Sequence, residues 1–165
     1  LRAPYDPLGG FNEGDIMEFP AAITEDIMGA QSFRGKDYQF LVIKIIKADG
    51  QENFINWFPS SFTRIVFEYE MDPIAKVAVR TDAQPFMPKG TAIEAFNKMR
   101  GKAEFDAAGK CTKTDTQKCV EQLLGKKVKI TKREVINTVG FDNDGNRDVS
   151  KLVPQAVMTY DFVTE

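Results

Sequence analysis

Histidine is absent from all 165 residues. With it go the Ser-His and Cys-His nucleophile pairs, imidazole acid-base chemistry and His-ligated zinc. Cysteine is nearly as scarce: Cys111 and Cys119 are too few for a disulfide scaffold or a four-thiolate zinc site. Their Lys/Thr-rich setting, KCTKTDTQKC, leaves two readings open, a pair of free thiols in a reducing cytoplasm or one bridge closing a small loop. No apolar run approaches the roughly 20 residues that a membrane-spanning helix requires. The sequence has no phosphate-loop pattern, fixed-period repeat or low-complexity tract. These absences point to a soluble, cytoplasmic, non-enzymatic protein with no cofactor, no metal and no membrane partner.

What is present is enough for a sizeable core. Hydrophobic residues make up 42% of the chain and include 13 Phe, which predicts a single domain over residues 11–165 behind an irregular arm, LRAPYDPLGG, at 1–10. The formal net charge is only −2, but it is segregated. From Lys76 to Arg133 there are 14 Lys/Arg against 6 Asp/Glu, and the rest of the chain carries 8 against 18. Such a division suits either one positive groove on an acidic body or two solvated faces that interleave in space.

Local patterning predicts mostly strands. FNEGDIMEFP reads as a first strand ended by Pro20, and residues 24–37 as a long loop or bent extension. In YQFLVIKIIKADGQENFINWF two β-branched and aromatic runs flank Asp49-Gly50, the pair favoured in two-residue type I′ hairpin turns. FTRIVFEYEM then either continues the second arm after a bulge or forms a separate strand, and IAKVAVRTDA is a weaker strand. Helical spacing appears at 92–100, where Thr91 and Glu94 suggest a capping box, and again after Thr114 and Gln117. KKVKITKREVINTVGF alternates apolar and basic residues as a long strand, and QAVMTYDFV closes the series. The loop DNDGNRD has oxygen donors, but its Gly falls at the fourth position, not the sixth of an EF-hand, so it reads as a turn.

Antiparallel strands with helices between the third and fourth fit a mainly β fold, a five-stranded Greek-key barrel. Carried by FNEGDIMEFP, YQFLVIKIIKADGQENFINWF and LLGKKVKITKREV, the chain resembles the OB-fold single-stranded DNA-binding proteins of bacteria and phages over roughly residues 11–163. The resemblance implies an OB-like barrel that binds single-stranded DNA, or RNA, in replication or recombination, and it leaves room for a homo-oligomer. With a two-residue turn, Lys44 pairs with Ile55 and Val42 with Trp57. That register turns Leu41, Ile43, Ile45, Phe54 and Phe58 inward and Tyr38, Phe40, Val42, Lys44 and Trp57 outward. The resemblance then makes Tyr38, Phe40 and Trp57 the base-stacking candidates. Lys44 joins them, with Lys127, Lys129 and Arg133, which alternation places on one side of the fourth strand, as phosphate contacts. The rival readings are that Trp57 and Phe40 pack as core, that the lysines protect an edge strand, and that the whole is a structural or protein-interaction β-domain, such as a phage or cell-surface component.

Overall fold

The computed structural model describes residues 11–23, 28–33, 36–144 and 146–164, with the backbone alone for 28–33 and 36–38. The arm expected at 1–10 lies outside the described residues. The strands are β1 (Ile16–Glu18), β2 (Met28–Phe33), β3 (Lys36–Ile46), β4 (Glu52–Trp57), β5 (Tyr69–Met71), β6 (Ala78–Arg80), β7 (Glu104–Phe105), β8 (Cys111–Lys113), β9 (Lys127–Phe141) and β10 (Arg147–Phe162). The helices are α1 (Thr91–Asn97) and α2 (Asp115–Glu121), with a 3-10 turn at Pro59–Phe62. The protein is therefore mainly β, as its patterning predicts. One correction falls within 24–37, where 28–33 and 36–37 pair as the strands β2 and the start of β3 although their residues show no apolar alternation; 24–27 and 34–35 lie outside the described residues. FTRIVFEYEM does not extend β4, because the 3-10 turn intervenes and β5 forms separately.

The main sheet is antiparallel in the order β4-β3-β1-β9-β10. Leu41 pairs with Met28 on one side and Trp57 on the other, and Lys44 with Glu18 and Phe54, so β1 and β2 run along the same edge of β3. No ladder joins β4 to β10 among the described residues. The sheet is open, and the closed barrel expected from element order does not form. The reason lies just after β4, where Pro59 starts the turn that carries the chain off the sheet and drops Phe62 into the seam. Its ring sits 4.9 Å from that of Trp57 and 4.6 Å from that of Tyr160. The C-terminal end of the outer edge of β10 is covered by the approach to α1, with Tyr160 N donating to Lys89 O at 2.7 Å and Phe162 N to Thr91 Oγ1 at 2.9 Å. That use of Thr91 replaces the capping box expected with Glu94, and Gly90 is the N-cap. At α2 the expected box forms: Gln117 N donates to Thr114 Oγ1 at 3.1 Å, and Thr114 N to Gln117 Oε1 at 2.8 Å.

The β3–β4 hairpin is present, but its loop has three residues, not two. Lys47 N donates to Gln51 O and Gly50 N to Lys47 O, both at 2.8 Å, which leaves Ala48, Asp49 and Gly50 as the loop. Gly50 occupies the left-handed region at φ 92°, which relieves the strain at the last loop position. Asp49 Oδ1 accepts from Gln51 N at 2.9 Å. The register becomes Leu41↔Trp57, Ile43↔Ile55 and Lys44↔Phe54. One residue of slip exchanges the two faces of β4.

One sheet face is dry. Met17, Leu41, Ile43, Trp57, Val128, Ile130, Met158 and Tyr160 pack there against Phe62, against Ala92, Ile93 and Phe96 of α1, and against Cys119, Val120 and Leu123 around α2. At the hairpin end the buried Asp15 carboxylate ties β1 to the β3–β4 loop, accepting from Asn12 N at 2.8 Å and Lys47 Nζ at 2.9 Å. Burial pushes the Tyr160 phenol up from 10.0 to about 12. The unfolded chain ionises near the ordinary value while the native state holds the proton, so stability is complete below that value and falls as pH rises towards 12. We expect a loss of about 2–3 kcal/mol across that window. Alkaline titration of the melting temperature should show it, and Tyr160→Phe should flatten that limb; an unchanged limb would mean that Tyr160 is not its source.

Candidate functional site

The opposite sheet face presents aromatic and basic side chains, though not all of those that the sequence suggests. Because Met17, Leu41, Ile43, Val128 and Ile130 point inward, alternation turns Ile16, Glu18, Lys44, Ile46, Lys127 and Lys129 outward. The register lays Phe54, Lys44, Glu18 and Lys127 side by side across β4, β3, β1 and β9, a span of roughly 14 Å at ~4.8 Å per strand. Glu52, Ile46, Ile16, Lys129 and Asp161 form the next row.

Trp57 is not on this face. It is 2% exposed, its ring is 5.0 Å from that of Phe19 in an edge contact, and the three-residue loop is what turns it inward. Phe54 takes its place, 72% exposed, with Lys44 Nζ 5.8 Å from the ring centroid. Phe40 does lie outward, half-buried, with its ring 5.8 Å from that of Phe58. Phe54 and Phe58, assigned to the interior by the two-residue turn, are thus the aromatics that sequence reasoning misplaced. The signal that would have found them is loop length alone. Tyr38 pairs with Gln31 through the backbone, and its side chain lies outside the described residues.

Arg133 also leaves the row. Ile130 pairs with Tyr160 and Lys132 with Thr159, so Thr131 is an unpaired bulge residue and the alternation reverses beyond it. Arg133 consequently faces the same side as its buried partner Met158, and Lys132 takes the outer position. Lys127 and Lys129 remain outward and exposed.

The outer face is electrostatically mixed. Lys44 lies 3.7 Å from Glu52, and Lys132 is 2.8 Å from Glu134. Asp161 accepts from Thr91 N at 2.9 Å and Thr131 Oγ1 at 2.7 Å, which holds its carboxyl below the usual range and keeps it charged beside Lys129. Lys44, Lys127, Lys129 and Lys132 are thus interleaved with Glu18, Glu52, Asp161 and Glu134.

Elsewhere, a cavity of about 320 Å³ opens between β3, the 3-10 turn and the two helices, lined by Gln39, Phe96, Arg100, Asp115, Thr116 and Cys119. Burial and the Asp115 charge push the Cys119 thiol up, away from a reactive thiolate. Cys111 is exposed, and both thiols are free. In the DNDGNRD loop the Asp142 carboxylate accepts from Asp144 N and Asn146 N, both at 2.9 Å, as a turn does. Among the described residues no group of three His, Cys, Asp or Glu side chains is placed to hold a metal, and no helix is long and apolar enough to cross a membrane. Comparison of the chain with protein-family models, curated proteins and solved structures returns no match.

Proposed function

We propose that the chain is a non-enzymatic binder of single-stranded nucleic acid, single-stranded DNA first, acting in replication or recombination. The observation that carries this reading is Phe54, an aromatic ring left 72% exposed on a regular strand with a lysine beside it. Such a ring costs apolar exposure in the free protein and gains stacking energy from any base, with the lysine near the phosphate. The strand order supports the same reading. Counting β1, β3, β4 and β9 as the four principal strands, the spatial order is four-one-two-three, the Greek-key arrangement on which an OB-like fold is built. In that fold the second and third strands, here β3 and β4, present the oligonucleotide face.

Titration with labelled poly-dT at two salt concentrations tests this. Phe54→Ala should weaken binding by about 1–3 kcal/mol while preserving the melting temperature. Replacing Lys127 and Lys129 with Gln should flatten the log-log salt dependence by about 0.7 per lost contact on a single strand, and Arg133→Gln should leave it unchanged. A second reading, a protein-interaction β-domain, is favoured by one observation: Ile74, 92% exposed, stands in the β5–β6 turn, where Asp72 Oδ1 accepts from Ile74 N at 2.8 Å and Ala75 N at 3.0 Å. Failure of the wild-type protein to bind poly-dT at low salt would transfer the conclusion to that reading.

A further inference from the structure

The β5–β6 hairpin carries a second set of aromatic and cationic groups, remote in sequence from the outer face of β3 and β4. Tyr69 opens β5 and Phe67 lies two residues before it. Each is half-buried and each carries a guanidinium. Arg80, the cross-strand partner of Tyr69, places its Cζ 4.2 Å from the Phe67 ring centroid. Arg147, at the start of β10, reaches across to Tyr69, with Cζ 5.7 Å from the ring centroid and Nη2 donating to the phenol oxygen at 2.8 Å.

The Arg80 guanidinium is held by an ion pair. Asp82, with its side chain 1% exposed, pairs with Arg80 Nε and accepts from Glu68 N at 3.4 Å, while the Arg80 side chain is itself 46% exposed. A carboxylate buried to hold a half-exposed guanidinium over a ring is a costly arrangement for stability alone, since exposed cation–π pairs contribute only about 0.5–1 kcal/mol. It does suit a ligand, because a flat guanidinium offers a surface for a base to stack on and N–H donors for phosphate oxygens.

We infer that Phe67, Tyr69, Arg80 and Arg147 form a second contact site for single-stranded nucleic acid, at the junction of the β5–β6 hairpin with the β9–β10 ribbon. The site takes two neighbouring unstacked nucleotides, one at each pairing of a guanidinium with a ring. This inference rests on the single-strand reading proposed above and extends it from one surface to two. A strand long enough to reach both surfaces then binds more tightly than one that covers either alone.

The test is a length series of labelled dT oligonucleotides against the wild-type protein, Arg80→Lys, Arg147→Lys and Phe54→Ala, each checked by melting. Lysine keeps the charge and removes the plane. Each Arg variant should lose about tenfold in affinity for long oligonucleotides, the lower range of one stacking contact, and nothing for the shortest that binds. Phe54→Ala should weaken every length. In the wild-type protein the Nε–H resonances of Arg80 and Arg147 should shift on adding long dT, a readout that needs no variant. Wild-type affinities in both Arg variants, with no shift of those resonances, would overturn the second site and leave the proposed function standing. Loss in the Arg variants with Phe54→Ala silent would keep the second site and overturn the role of the β3–β4 face. Absence of wild-type binding at any length would overturn both.

Discussion

Trp57→Ala should cost about 3–5 kcal/mol of stability, the range for removing a large buried aromatic. The indole packs edge-on against Phe19 at 5.0 Å and Phe62 at 4.9 Å, and Phe62 continues the ring contacts to Phe96 and Tyr160. Truncation removes the ring that joins Phe19 to Phe62, beside the open seam. Trp57→Phe should cost much less, because it keeps an aromatic and removes an indole N–H that has no hydrogen-bond acceptor among the described residues. Urea unfolding of the three proteins checks the order. Added oligonucleotide should leave the intrinsic tryptophan emission nearly unchanged, since the ring lies on the dry face; strong quenching, with the alanine variant as stable as wild type, would show that Trp57 is a stacking platform after all.

Gly90→Ala should be comparably severe, about 3 kcal/mol or more, by a different mechanism. Gly90 has φ 113° and ψ 173°, a region essentially confined to glycine and costing about 1–3 kcal/mol for other residues. A methyl there would also overlap the Tyr160 carbonyl oxygen and lie 2.6 Å from its carbon. The obstacle is backbone and cannot swing away. Relief requires parting the approach to α1 from β10, at the expense of the Tyr160 N to Lys89 O bond. Thermal unfolding of Gly90→Ala beside Gly50→Ala separates the terms, because Gly50 shares a positive φ but meets nothing within 4 Å, so the second variant should lose only the backbone share. Equal losses would mean that the close approach to β10 contributes nothing.

Element type was legible wherever periodicity was local. The alternation in KKVKITKREV, the helical spacing of Ala92, Ile93 and Phe96, and the Thr114–Gln117 box all produced the elements they predict. What failed was parity, which depends on single-residue events that composition does not encode. Asp49-Gly50 serves a three-residue loop as readily as a two-residue one, and that ambiguity exchanged Trp57 with Phe54. The bulge at Thr131 has no mark in a run of Lys, Thr and Ile, yet it separates Arg133 from Lys127 and Lys129. β2 was invisible because its partner, not its own pattern, makes it a strand. Barrel closure was beyond reach for a related reason: whether β4 meets β10 depends on how the chain leaves β4, and Pro59 with the buried Phe62 decides that through tertiary packing.

The three-residue loop also bears on how this surface tolerates inherited change. Loop tips ordinarily accept insertions and deletions, but deleting one residue between Lys47 and Gln51 would invert β4, sending Phe54 towards the helices and Trp57 into water. Sequences that drift at this tip are therefore held to substitutions that keep its length, or must alter it by two residues at once and so preserve which ring faces outward. An aligned set of descendants would show variable letters here and a length that stays odd.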